Sequence, residues 1–179
     1  RTLIFHFFGT SLGRYFTTNI EDAKTAISNG ALGTNNRVVC IKQSSATNGT
    51  IFELCYNPDN NSVIERHIKD FTLSSSLVST ADVGAIIAEA AEAVPANSYA
   101  MVFAGHGTGW IPRVLADSSV STLALGYDAW IPAEGAEVTR NFGESNVKLD
   151  ISEIAESIEY SGIELDYILF DACFMSNIE

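Results

Sequence analysis

The chain has 179 residues, of which 46% are hydrophobic and 18% are charged, a composition that is typical of one globular domain and excludes a disordered segment. Its formal net charge of −12 argues against a nucleic-acid partner, because phosphate contacts need clustered lysine and arginine side chains. No apolar run approaches the roughly 18 residues of a transmembrane helix, so the sequence predicts no membrane span.

The first half of the chain predicts a strand, a helix and then a group of shorter strands. Helical spacing of apolar residues predicts a helix that Gly30 ends as a C-terminal cap. In chain order, the predicted elements are a strand over 2–8, a helix over 19–29, and strands over 37–41, 50–56 and 63–68, with a turn at 57–61. Cys40 and Cys55 fall on two of these strands and could be cross-strand neighbours. Buried thiols are the default there, and a disulfide is the alternative in an oxidising compartment.

The second half predicts two further strands, each preceded by a helix. In chain order, the predicted elements are a helix over 81–94 capped by Thr80 and ended by Pro95, a strand over 99–104, an irregular region over 111–148, a helix from an Asp150/Glu153 capping box to about residue 160, a buried strand over 165–170 and a helix from residue 174. This alternation predicts an α/β fold with a mainly parallel sheet flanked by helices.

Two residues with nucleophile and base chemistry follow the ends of predicted strands. Cys173 stands just beyond the strand over 165–170, and His106 stands between glycines just beyond the strand over 99–104. The carboxyl ends of parallel strands meet at one edge of a sheet, where open α/β sheets bind their ligands. The sequence therefore predicts a cysteine hydrolase, with Cys173 as the nucleophile and His106 as the base.

The neighbouring residues supply the rest of this chemistry. An imidazole or a helix N-terminus lowers the pKa of a thiol, and His106 can return the proton to the leaving amine. The main-chain amides of Gly107 and Cys173 are the predicted oxyanion donors. Taken singly, a buried cysteine is more often inert and a histidine between glycines more often belongs to a turn. A phosphate-binding glycine loop is disfavoured because Trp110-Ile111-Pro112 follows the glycines where a helix should begin.

Two motifs resemble the signatures of the clostripain family of cysteine peptidases. They are His-Gly-Thr-Gly-Trp at 106–110 and Asp-Ala-Cys-Phe-Met-Ser-Asn-Ile-Glu at 171–179, and the segment 150–155 resembles the family's helix before the nucleophile strand. The resemblance implies a caspase-like fold, a His106–Cys173 dyad and cleavage after arginine or lysine. It also implies that Asp171 lines the specificity pocket, where a carboxylate would pair with a basic side chain. The alternative role for Asp171 is a helix N-terminal cap or a structural hydrogen-bond acceptor.

The resemblance carries further expectations about maturation and metal binding. It implies an activating cut after a basic residue between His106 and Cys173, for which Arg140 is the first candidate and Lys148 the second. It makes calcium a possible cofactor. The acidic residues considered as its ligands are Asp117, Asp128, Glu134 and Glu137, although no loop spacing supports a site. The Asp-Asn pair common in relatives after the first strand is replaced here by Gly9-Thr10-Ser11.

The ends of the chain add an expectation about its context. A domain seldom opens directly on a strand, and a leader is expected upstream of Arg1, which predicts a secreted or cell-envelope protein. Residues 1–179 are expected to be the N-terminal part of one peptidase domain, completed by a C-terminal chain of the same protein beyond residue 179. The rival function is a catalytically inactive module of the same fold that binds a peptide or a surface glycan.

Overall fold

The structure is a computed structural model, and it describes residues 1–33, 35–45, 47–73, 79–107, 142–144 and 147–172. Over these ranges the strands are β1 (Thr2–Phe7), β2 (Arg37–Gln43), β3 (Asn48–Asn57), β4 (Ser62–Thr72), β5 (Tyr99–Ala104), β6 (Phe142–Glu144), β7 (Val147–Leu149) and β8 (Leu165–Asp171). The helices are α1 (Gly13–Ser28), α2 (Thr80–Ala93) and α3 (Ile151–Ser161).

The main sheet of the described residues has six strands in the order β4-β3-β2-β1-β5-β8. Strand β1 pairs in parallel with β2 on one side and β5 on the other, and β5 pairs in parallel with β8. Strands β3 and β4 extend the β2 edge as antiparallel neighbours. These pairings confirm the predicted α/β class and the mainly parallel sheet.

Helices cover both faces of this sheet, which gives two hydrophobic cores. On one face, Phe16 and Ile20 of α1 pack against residues such as Phe7 and Val38. On the other face, α2 and α3 pack over residues such as Met101, which is fully buried. Crossover connections between parallel strands place helices on both faces of a sheet. Each face of the sheet is then buried by an apolar layer of helix side chains.

Helix ends follow their capping chemistry, with two corrections to the sequence predictions. Asp150 and Glu153 form the predicted capping box at the start of α3. Helix α2 is capped by Ser79, whose side chain accepts a hydrogen bond from the Asp82 amide, so the prediction of Thr80 as the cap was wrong by one residue. Helix α1 begins at Gly13, earlier than predicted. Its N-cap residue, Leu12, makes no side-chain hydrogen bond, so no capping residue in the sequence marked this start.

Other corrections concern the second half of the chain and the cysteines. Strands β6 and β7 form a short antiparallel hairpin inside the region predicted to be irregular. Strand β8, predicted to be buried, lies at an edge of the described sheet, and its Tyr167 and Leu169 side chains are about half exposed. Cys40 is opposite Phe52 and Cys55 is opposite Ile64, so the two cysteines are not cross-strand neighbours, and both are free thiols. No helix in the described ranges has the length and apolarity to cross a bilayer.

Candidate active site

The candidate site lies at the carboxyl ends of β1, β5 and β8. From β1 the chain moves outward to β2 on one side, and it later returns to β5 on the other side, so the β1–β5 boundary is the topological switch point of the sheet. Ligands of open α/β sheets bind in the crevice at such a point. The structure therefore places the segment after β1, and His106 after β5, at this switch point.

Gly105 sets the path of the chain just before His106. A Cβ atom at Gly105 would lie 2.8 Å from the Phe8 carbonyl oxygen and 2.8 Å from the Phe142 ring, closer than real Cβ contacts allow. The Gly105 amide donates to the Asp171 carbonyl oxygen at 3.2 Å. A glycine is thus needed here for the chain to approach both neighbours, and the same bond ties the β5 end to the β8 end.

The β6–β7 hairpin supports the His106 segment from the other side. The Gly143 amide donates to the His106 carbonyl oxygen at 2.7 Å, and Gly107 forms a bridge with Phe142. Phe142 is buried and packs edge-on against Phe103, with ring centroids 4.6 Å apart. This aromatic pair therefore lies next to the main chain of the His106 segment. In this bridge the hydrogen bond is made by the flanking His106 carbonyl, and the Gly107 amide is not its donor.

The imidazole of His106 has a partner that the sequence motifs did not reveal. Its Nε2 lies 2.9 Å from Oγ of Ser11, in the segment between β1 and α1. That segment is anchored by the Gly9 amide, which donates to Oε1 of the buried Gln43 at 3.0 Å. The sequence signal is the position of Ser11 just after the first strand, in the Gly9-Thr10-Ser11 segment that replaces the Asp-Asn pair of relatives.

The structure describes only some of the remaining predicted site residues. Asp171 ends β8 and is exposed, in register with Ala104 at the end of β5. Lys148 lies in β7, where its main chain is paired with Gly143. Cys173 and Arg140 lie outside the described residues, as do the four acidic residues considered for calcium. Within the described ranges, no three His, Cys, Asp or Glu side chains are grouped to hold a metal ion.

The two described cysteines are poor nucleophiles. Burial raises the pKa of the Cys40 thiol well above its ordinary value, since the residue is almost completely enclosed. Burial also raises the pKa of Cys55, while a hydrogen bond with Arg66 opposes that effect. Thiols with raised pKa values stay protonated at neutral pH and react slowly. Of the three cysteines in the chain, only Cys173 follows a strand at the candidate site.

This topology, with a histidine after β5 at the switch point and a cysteine motif after β8, defines the class of caspase-like cysteine peptidase domains. The clostripain family model matches residues 10–179, and the chain belongs to the clostripain family. No curated protein sequence matches the chain significantly.

Solved structures agree with this assignment. A secreted C11 cysteine protease from Bacteroides thetaiotaomicron, "iotapain", is 26% identical with a TM-score of 0.77, covering 98% of this chain and 46% of that one. A clostripain from the same species, in complex with the peptide inhibitor BTN-VLTK-AOMK, is 26% identical with a TM-score of 0.55, covering 62% and 93%. An inactive zymogen C11 protease from Parabacteroides distasonis is 23% identical with a TM-score of 0.66, covering 97% and 42%. The chain thus spans less than half the length of the first of these proteins.

Proposed function

We propose that the full-length protein is a cysteine endopeptidase that cleaves after arginine or lysine. The observation that carries this proposal is the adjacency of two strand ends. The segment of His106 and the end of β8 are joined by the hydrogen bond from the Gly105 amide to the Asp171 carbonyl oxygen, 3.2 Å long. Cys173 follows Asp171 by two positions in the sequence, so the nucleophile motif begins at the strand end that is bonded to the His106 segment.

The reaction follows from the residues at these ends. His106 takes the proton of the Cys173 thiol, and the thiolate attacks the carbonyl carbon of the scissile peptide. The amides of Gly107 and Cys173 donate to the oxyanion that forms. The imidazolium then protonates the leaving amine as the carbon–nitrogen bond breaks, which leaves a thioester. Water, deprotonated by His106, hydrolyses the thioester and regenerates the thiol.

Asp171 is the proposed determinant of basic specificity. It is exposed at the rim of the sheet, close in sequence to the nucleophile, where a substrate side chain can reach it. A carboxylate covered by bound substrate pairs with a guanidinium or an ammonium group and disfavours neutral side chains. A similar clostripain binds the peptide inhibitor BTN-VLTK-AOMK, whose peptide part ends in lysine. The chain's net charge of −12 also favours basic substrates through long-range attraction.

Activation by proteolysis belongs to the same proposal, with Arg140 as the cut site. Lys148 is the weaker candidate, because its main chain is paired within the β6–β7 hairpin. A peptidase binds its substrate in extended form with its edges unpaired, so a cut at Lys148 requires the hairpin to open. We further propose that the protein works outside the cytoplasm, as the similar secreted protease does, and that the region beyond residue 179 completes the peptidase domain. Calcium dependence stays a prediction.

Peptide hydrolysis by the full-length protein tests the proposed function. Peptides that differ only in having arginine, lysine, glutamine or norleucine before the scissile bond are incubated with enzyme, and products are identified by mass spectrometry. We expect cleavage after arginine or lysine, abolished in Cys173→Ala and in His106→Ala. The matched controls are Cys55→Ala and His67→Gln, which alter a thiol and an exposed imidazole away from the site. Peptide binding without cleavage would instead support an inactive binding module.

A further inference from the structure

The position of Ser11 relative to the His106 ring carries an inference about how the base is oriented. The Ser11 Oγ lies 2.9 Å from Nε2 of His106, within hydrogen-bond distance. Ser11 is held on both sides. Before it, the Gly9 amide is bonded to the buried Gln43 side chain at 3.0 Å, and after it the Gly13 amide donates to the Thr10 carbonyl oxygen at 3.1 Å. The main chain of Ser11 is therefore placed by the fold, and its short, exposed side chain carries the hydroxyl that contacts the imidazole.

A hydroxyl at Nε2 decides which imidazole nitrogen can act as a base. A neutral imidazole carries one proton, and the nitrogen without it accepts a proton from the thiol. A serine oxygen can accept from Nε2–H both in the neutral ring and in the imidazolium, so this contact persists through proton transfer. The opposite arrangement, with the serine donating to an Nε2 lone pair, would occupy a basic nitrogen and would be lost whenever His106 becomes protonated.

We propose that Ser11 is the positioning residue of His106: it accepts a hydrogen bond from Nε2–H and so makes Nδ1 the nitrogen that takes the Cys173 proton. This inference rests on the proposed peptidase function. The thiol proton passes to Nδ1 as the sulfur–carbon bond forms, while the Nε2–H bond to Ser11 is unchanged. The same proton then passes from Nδ1 to the leaving amine as the peptide bond breaks. Ser11 itself gains and loses no proton.

The test compares Ser11→Ala and Ser11→Thr with wild type in the full-length protein. Thr18→Ala is the matched control, because its exposed hydroxyl donates to the Arg14 carbonyl oxygen within α1 and lies away from the candidate site. We expect kcat of Ser11→Ala to fall about 10- to 100-fold, the factor that a hydrogen bond to a charged group provides, with little change in KM. Ser11→Thr should restore most of kcat, and Thr18→Ala should match wild type.

A spectroscopic measurement separates positioning from a merely structural role. Nitrogen-15 NMR of labelled imidazole groups, in protein carrying Cys173→Ala to prevent self-cleavage, reports which nitrogen of His106 holds the proton. We expect Nε2–H in the Cys173→Ala protein and a mixed population once Ser11→Ala is added. Wild-type or higher kcat in Ser11→Ala, or a predominant Nδ1–H form, would overturn the inference. If the protein cleaves no peptide, the proposed function fails, and the spectrum alone still decides whether Ser11 holds Nε2–H.

Discussion

Gly105 and Asp171 are joined by a main-chain hydrogen bond of 3.2 Å between the amide of the first and the carbonyl oxygen of the second. The bond continues the β5–β8 ladder one step beyond the strand that precedes His106. It therefore links the segment that carries the candidate base to the strand that leads to the candidate nucleophile. Gly105 and Asp171 are distant in sequence but adjacent at one edge of the sheet, and main-chain pairing sets their relative position.

Replacing Asp171 by asparagine tests the specificity pocket. We expect kcat/KM for arginyl and lysyl peptides to fall about 10- to 100-fold, because the charge-assisted hydrogen bond is lost while the shape of the side chain is kept. Asp166→Asn is the control, since Asp166 lies near the opposite end of β8 and pairs with Arg1. Steady-state kinetics with matched peptides provide the measurement. Unchanged discrimination between lysine and norleucine in Asp171→Asn would show that another residue sets specificity.

The maturation site is tested by blocking each candidate cut. We expect Arg140→Ala to prevent conversion of the full-length protein to two chains, and Lys148→Ala to leave conversion intact, because Lys148 is paired within the hairpin. Gel electrophoresis and mass spectrometry of the new chain ends identify the cut. Normal conversion in Arg140→Ala, with an end at Lys148, would show that the hairpin opens during maturation.

Gly84 lies where α2 meets α3, and we expect Gly84→Ala to destabilise the domain. An added Cβ would lie 2.6 Å from the Ser157 carbonyl oxygen and 2.8 Å from Cβ of Tyr160, so the helices must separate. The expected loss is about 1–3 kcal/mol of unfolding free energy, larger than the gain in helix propensity. Gly13→Ala is the control, because nothing lies within 4 Å of an added Cβ there. Urea unfolding of the two variants checks the order, and equal stability would refute the close approach.

His6 makes stability fall as pH falls. It is buried beside Phe8 and Phe103, and its Nδ1 has no hydrogen-bond partner among the described residues. Burial lowers the pKa of His6 from 6.5 to about 3. Below pH 6.5 the unfolded chain therefore binds a proton at His6, whereas the folded chain binds this proton only near pH 3. Each pH unit within that window should cost up to about 1.4 kcal/mol.

Urea unfolding of the Cys173→Ala protein between pH 7.5 and about 5 measures this dependence, since unfolded carboxylates begin to take up protons only below that range. His6→Leu should flatten the profile, and the exposed His67→Gln should leave its slope nearly unchanged. In this pH range Glu53 adds little, because hydrogen bonds from Arg37 and Arg66 hold its pKa below 4.5 despite the opposing effect of burial. A slope that His6→Leu leaves intact would assign the acid sensitivity to another group.

Local patterns in the sequence were enough to predict most of the helices and strands and the edge of the sheet at which the candidate site lies. The strand at 99–104 and the Asp150/Glu153 capping box were confirmed because apolar runs and reciprocal capping are local properties. The class of the sheet followed from the alternation of strands and helices. His106 follows β5 and Asp171 is the last residue of the neighbouring β8, because parallel strands present their carboxyl ends on one edge, while the roles of both residues stay predictions.

Other features depend on contacts between distant residues and could not be read from local patterns. The Ser11–His106 contact joins segments that follow β1 and β5, and no rule of spacing connects them. The exposure of Leu169 depends on which elements cover β8, which its apolar sequence does not specify. The register that separates Cys40 from Cys55 depends on how β2 pairs with β3. The roles of Cys173 and Arg140, outside the described residues, stay predictions.

Covalent labelling of the nucleophile tests the central claim most directly. Full-length protein is treated with a lysine-containing peptide carrying a thiol-reactive ketone, digested and mapped by mass spectrometry. We predict one adduct, on Cys173, that blocks peptide hydrolysis and is lost in His106→Ala but kept in His67→Gln. An adduct on Cys40 or Cys55 in its place, or full labelling and hydrolysis in His106→Ala, would contradict a peptidase built on His106 and Cys173.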